Sequence, residues 1–151
     1  MEAQIAAYFD LDGTLLNDSS EKTLTAHLAK RRPWRIPWGA FAWTSGFLTN
    51  LLRGRSVYDA ARNRGHLSLS SWNVLQSYSE HLAENVLKPN ISEQAWERLQ
   101  WHRDQGHRLI LVTATVAPMA EAMARVLNMD AVLSLIHISE PTRQAEISYA
   151  V

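Results

Sequence analysis

Ile5-Ala6-Ala7-Tyr8-Phe9-Asp10-Leu11-Asp12-Gly13-Thr14 is the most informative segment of the chain. Its first half is short, apolar and aromatic and runs straight into an Asp-Gly turn signal, so residues 5–9 read as a buried strand rather than a helix. The second half places two carboxylates, Asp10 and Asp12, just past that strand. In open parallel sheets ligands bind beyond the carboxyl ends of strands. The two acids therefore stand where a site is expected, and Gly13 allows a sharp turn beside them.

Working outward, Asp18-Ser19-Ser20-Glu21 forms a capping box that opens a helix with Leu24 and Leu28 on one face, and Pro33 stops it. Pro37 and Gly54 punctuate a second helix over Trp38 to Arg53, and a shorter one ends at Gly65. Ser70 or Ser71 caps another that carries Leu75, Tyr78, Leu82 and Val86, closed by Pro89. Asn90 with Glu93 makes a further capping box, leading through Trp96 and Leu99 to Gly106. The period then changes. Arg108 to Thr113 is a near-continuous apolar run, the mark of a parallel-sheet strand buried on both faces. Met119, Met123, Val126 and Leu127 mark a helix, and Ala131 to Leu135 a last strand. Strand, helix, strand, with helices inserted after the first strand, is an α/β layout.

At 151 residues, 46% hydrophobic and 20% charged, the chain has the size and composition of one soluble domain with an insert. Fifteen basic residues balance fifteen acidic ones, which argues against a surface that coats nucleic acid. Cysteine is absent, which excludes disulfides, thiolate metal sites and cysteine nucleophiles. Residues 1–9 lack the pattern of a signal peptide, so a cytoplasmic location is expected.

A carboxylate pair at a strand end suits phosphoryl transfer, in which one acid attacks phosphorus while the other protonates the leaving oxygen. A hard, oxygen-ligated cation, Mg²⁺, would relieve the repulsion between them, and Thr14 offers a hydroxyl and an N–H to phosphate oxygens. Asp10-Leu-Asp-Gly-Thr14 after a strand resembles the first motif of the haloacid dehalogenase (HAD) superfamily. Leu111-Val-Thr-Ala-Thr115 is similar to its second, which ends the next core strand in Thr or Ser. A helical insert between the two looks like the C1 cap of the phosphoserine-phosphatase-like branch (subfamily IB-like). The resemblance implies a HAD-like, Rossmannoid parallel-sheet core with Asp10 as nucleophile, Asp12 as general acid/base and the Asp12 carbonyl as a Mg²⁺ ligand. Gly13, Thr14, Thr113 and Ala114 would meet the phosphate. The implied activity is hydrolysis of a phosphomonoester, of a small metabolite or a lipid, through an aspartyl phosphate.

The family's later Lys and its Gly-Asp-X-X-X-Asp pattern have no match. Lys22, Lys30 and Lys88 all precede Thr113, and the later acids are Glu121, Asp130, Glu140 and Glu146. Leu135-Ile-His-Ile-Ser-Glu-Pro-Thr-Arg143 and Ile147 to Val151 resemble a translated sequencing adapter, so native sequence is expected to end near Ser134, with the C-terminal part of the core missing. The expected organisation is a core of residues 1–17 and 89–134, a cap of residues 18–88 and a non-native tail of residues 135–151. Loss of one electrostatic group costs on the order of a hundredfold in rate. Low or no activity is therefore expected, and the alternative is a non-catalytic fragment that binds Mg²⁺ or phosphate weakly.

From Lys30 to Arg64 eight basic residues face one acid, Asp59, around an aromatic stretch from Trp34 to Leu52. This stretch is too short and too polar for a membrane span. Packing within the cap is its expected job, with peripheral contact to an anionic membrane through Trp34 to Arg55 as the alternative. The histidines lack metal-ligand spacing, and Trp72, Trp96 and Trp101 read as core or interface aromatics.

Overall fold

A computed structural model describes residues 5–136, with side chains through Ser134. Three parallel strands, β1 (Ala6–Asp10), β2 (Arg108–Val116) and β3 (Ala131–Ile136), form a sheet in that spatial order. Between β1 and β2 run α1 (Ser20–Arg31), α2 (Ile36–Leu52), α3 (Val57–Ala61), α4 (Trp72–Leu82) and α5 (Glu93–Asp104); α6 (Ala117–Val126) crosses from β2 to β3. This is the expected α/β architecture with helices inserted after the first strand. The expectation of a non-native tail concerns residues that, from 137 on, lie outside those described.

Pairing Ala7 with Leu109 and Phe9 with Leu111 gathers these four side chains on one face of the sheet, where all are buried. The other face is half open. Ile110 and Val112 are only partly covered and Tyr8 is exposed, so burial of β2 on both faces is realised on one. The hydrophobic core runs without a break from β1 and β2 into Leu24 and Leu28 of α1, Leu75 and Leu82 of α4, and Met119 and Met123 of α6.

Local chemistry explains most boundaries. Ser19 caps α1, its hydroxyl accepting from the Lys22 N–H at 3.4 Å. The cap of α5 is Ser92, whose hydroxyl accepts from the Ala95 N–H, whereas Asn90 ends a short 3₁₀ turn built on Pro89. Gly106 follows α5 with φ of +70°, a conformation in which a Cβ is strained. β2 continues three residues beyond Thr113, and Pro118 sits in the first turn of α6, where its missing N–H costs nothing.

The aromatic stretch departs from expectation. None of the 17 residues of α2 is buried, and Trp38, Phe41, Leu48 and Leu52 are exposed, so they do not form the interior of the insert. The residues that approach the neighbouring segment 60–66 include the small Gly46 beside Asn63 and Ala42 beside Gly65, and Trp43, whose indole donates to the Ala61 carbonyl.

Candidate functional site

The loop that leaves β1 is held from beneath. Leu11, Leu15 and Leu16 are buried in the core, the Leu16 N–H donates to the Leu11 carbonyl at 2.9 Å, and the Gly13 N–H donates to the Leu16 carbonyl at 2.7 Å. Leu16 also bridges to Ile91 on the returning chain. Gly13 takes φ of +83°, so the sharp turn read from the sequence is present and needs glycine. With its leucines anchored, the loop turns Asp10, Gly13 and Thr14 to solvent, with Asp12 half-buried between them.

The two carboxylates differ in their surroundings. Asp10 Oδ1 accepts from the Leu11 N–H at 2.8 Å, and its second oxygen has no hydrogen bond among the described residues. Both oxygens of Asp12 are engaged: Oδ1 accepts from the Ser20 N–H at 2.9 Å and Oδ2 from the Ser20 hydroxyl at 3.1 Å. The Ser20 hydroxyl is also 2.9 Å from Thr115 Oγ1, and both residues are buried. Each hydroxyl has one proton, so both contacts are satisfied when Thr115 donates to Ser20 and Ser20 donates to Asp12. The start of α1 and the end of β2 thus fix the Asp12 side chain and leave Asp10 freer.

Thr113 lies one residue beyond Val112, the partner of Asp10, so Thr113 and Asp10 occupy the same end of adjacent strands. Thr113 is buried, its hydroxyl oxygen accepts from the Thr115 N–H at 3.1 Å, and its own proton has no acceptor among the described residues. Ala114 is exposed, and its carbonyl accepts from Arg64 at 3.2 Å. Arg64 also donates through Nε to Glu21 of α1 at 2.7 Å. It therefore ties the helical insert to the strand end beside the site.

Asp12 and Gly13 line a cavity of about 530 Å³ with Lys22 among its walls. It shares Ser19, Lys22 and Ala26 with a larger hollow walled also by Arg62, Arg64 and His66. This shares Thr25, Ala29, Trp43 and His66 with an apolar cavity of about 380 Å³ between α1 and α2. Asp12, and not Asp10, lines the first of these three neighbouring hollows, the second is basic and the third apolar. Burial lowers the His66 pKa, with nearby Glu21 opposing the shift and Arg64 adding to it. Its Nε2 lies 3.3 Å from the Thr25 hydroxyl.

Asp10 and Asp12 supply hard oxygen donors. The unbonded Asp10 oxygen and the Asp12 carbonyl, which accepts no hydrogen bond among the described residues, fit Mg²⁺, a cation that keeps several waters and takes one or two carboxylates. No group of three or more His, Cys, Asp or Glu side chains that could hold a metal occurs among the described residues. His102 and His107 contact each other at 2.9 Å beside Trp101, next to the start of β2 and so at the opposite end of the sheet from Asp10.

Sequence reasoning missed Ser20 and Thr115 as parts of the site, and Arg64 as its tie to the insert. A second Thr following Thr113 at a spacing of two was a visible signal; the positions of Ser20 and Arg64 carried none.

The profile of the haloacid dehalogenase-like hydrolases matches residues 7–142. A Streptomyces azureus protein called "Inhibition of morphological differentiation protein" is 26% identical over 140 residues, covering 85% of this chain and 48% of its own length. The chain thus spans about half the length of that curated relative. A Bordetella pertussis Tohama I protein of unknown function superposes with a TM-score of 0.65 at 26% identity, over 87% of this chain and 60% of the other. A phosphoserine phosphohydrolase-like protein from Francisella tularensis shares the fold, with a TM-score of 0.54 at 13% identity over 87% of this chain and 58% of the other.

Proposed function

The chain belongs to the haloacid dehalogenase-like hydrolases, and from that premise we propose that it carries the nucleophile-bearing part of a Mg²⁺-dependent phosphomonoester hydrolase. Asp10 attacks phosphorus with its unbonded carboxylate oxygen, the ester oxygen leaves with a proton from Asp12, and water then cleaves the aspartyl phosphate with Asp12 as base. Thr113 donates its hydroxyl proton and Thr14, an exposed residue, its N–H to the phosphate oxygens, while the Gly13 N–H is engaged by the Leu16 carbonyl and Gly13 serves the turn. Mg²⁺ held by Asp10 and the Asp12 carbonyl would neutralise charge on the transferred group. Residues 18–88 act as the cap over the site.

The single observation that carries this reading is the asymmetry of the acids. The carboxylate of Asp12 is held by Ser20 at both oxygens, as a group that must present a proton in a fixed direction needs to be. Asp10 stands exposed with an oxygen to spare, as a nucleophile needs. The apolar cavity, which shares no wall residue with the hollow lined by Asp12 but has the basic hollow as a common neighbour, supports an ester with an apolar group over a small polar metabolite.

Turnover of p-nitrophenyl phosphate with Mg²⁺ tests the reading. Asp10→Asn is expected to reduce it at least a thousandfold, and equal turnover by the variant would overturn the assignment. A second reading, weak binding of Mg²⁺ or phosphate without catalysis, is favoured by the lack of a third metal-ligating side chain among the described residues. It predicts no turnover by the unaltered chain, together with Mg²⁺ binding that Asp10→Asn weakens.

A further inference from the structure

Helix α2 exposes large apolar side chains on its outer side, with the small hydroxyl residues Thr44, Ser45 and Thr49 among them. Toward the segment 60–66 it presents Gly46, where an added Cβ would lie 2.7 Å from Asn63 Oδ1, and the Ala42 carbonyl, 2.8 Å from where a Cβ on Gly65 would be. Asn63 donates to the Trp43 carbonyl at 3.2 Å, and the Trp43 indole to the Ala61 carbonyl at 3.2 Å. Trp38, Phe41, Leu48 and Leu52 follow one another at helical spacings and are 62, 71, 53 and 90% exposed. A row of large apolar side chains facing water marks a surface that something covers.

The surrounding charge says what. Lys30 and Arg31 precede α2 and Arg53 and Arg55 follow it, all exposed, and no Asp or Glu lies between Lys30 and Asp59. Cations at both ends of an apolar stripe match a surface with negative charge at its level and hydrocarbon just beneath, an anionic bilayer. A second copy fits less well. Both ends of the stripe are basic, so pairing it with itself in either direction sets cations against cations. At 17 residues the helix is about 25 Å long, and no helix among the described residues is long and apolar enough to cross a membrane.

We infer that α2 lies flat in the headgroup layer of an anionic membrane, with Trp38, Phe41, Leu48 and Leu52 in the acyl boundary and the flanking lysine and arginines on lipid phosphates. This docking is independent of the catalytic reading and is read without any turnover.

Co-sedimentation of the full chain with vesicles of phosphatidylcholine plus phosphatidylglycerol, against phosphatidylcholine alone, tests it. The chain should pellet with the mixed vesicles, remain in the supernatant with the neutral ones, and be released by salt. Trp38→Ser with Phe41→Ser should weaken binding at least tenfold at unchanged helicity by circular dichroism, since neither side chain is buried. Arg53→Gln with Arg55→Gln, which leaves the apolar stripe intact, should weaken it about fivefold per arginine. Failure to pellet with the mixed vesicles, equal pelleting with both, or undiminished binding by the Trp38/Phe41 variant would overturn the proposal. So would a dimer, seen by light scattering, that this variant dissolves in a chain with no vesicle affinity.

Discussion

The loop after β1 and helix α2 are both rich in large apolar residues, and they use them in opposite ways. In the loop, Leu11, Leu15 and Leu16 are buried, and the backbone they anchor turns Asp10 outward. In α2 Ala42, Gly46 and the Trp43 indole approach the neighbouring segment, and Trp38, Phe41, Leu48 and Leu52 face solvent. Apolar composition fixes that something must be covered; the partner that covers it is a matter of tertiary context. The loop is completed by the chain's own core, whereas the stripe on α2 stays uncovered among the described residues.

The largest contrast should come from truncating matching leucines. Leu16→Ala is expected to cost about 2–5 kcal/mol because it leaves a cavity under the site, and Leu52→Ala to stay within about 0.5 kcal/mol in chemical denaturation. Similar losses at both positions would break the distinction. Gly65→Ala tests how α2 is seated. Its Cβ would meet the Ala42 carbonyl, which cannot swing aside, so a loss of about 1–3 kcal/mol is expected.

Ser20→Ala should cost about 1–2 kcal/mol and lower any turnover, because the Thr115 hydroxyl and one Asp12 oxygen lose their shared partner. Ser20→Thr, which keeps the hydroxyl, should recover part of the turnover. The smallest effect is on pH dependence. The His66 pKa lies below 6.5 in the folded protein because of burial, so its neutral form is the one the fold accommodates. Its contribution is fully present above 6.5 and is lost as pH falls from there toward the folded value, where the unfolded chain binds the proton more readily. His66→Gln should flatten that part of the stability profile.

Much of this was legible locally. An apolar run ending in Asp-X-Asp-Gly-Thr specifies strand and turn within ten residues, and the structure has both there. Boundaries set by competing local signals were read less well. Asn90 offered a capping side chain, but Pro89 drew it into a 3₁₀ turn and left the cap to Ser92. The apolar run reads as a strand ending at Thr113, whereas pairing carries the strand to Val116. The contact between Ser20 and Thr115 joins residues 95 apart in sequence, and no local pattern encodes it. The outward face of α2 was hidden for a related reason: helical spacing shows that two faces exist without saying which one the core takes.

The central claim is that Asp10 receives the phosphoryl group. Mass spectrometry of the chain quenched in acid after reaction with p-nitrophenyl phosphate and Mg²⁺, then digested, reads it directly. The account predicts one added phosphoryl group on the peptide containing Asp10, absent from Asp10→Asn and retained, with slower loss, in Asp12→Asn. A phosphoryl group on any other residue, or one that persists in Asp10→Asn, would contradict it.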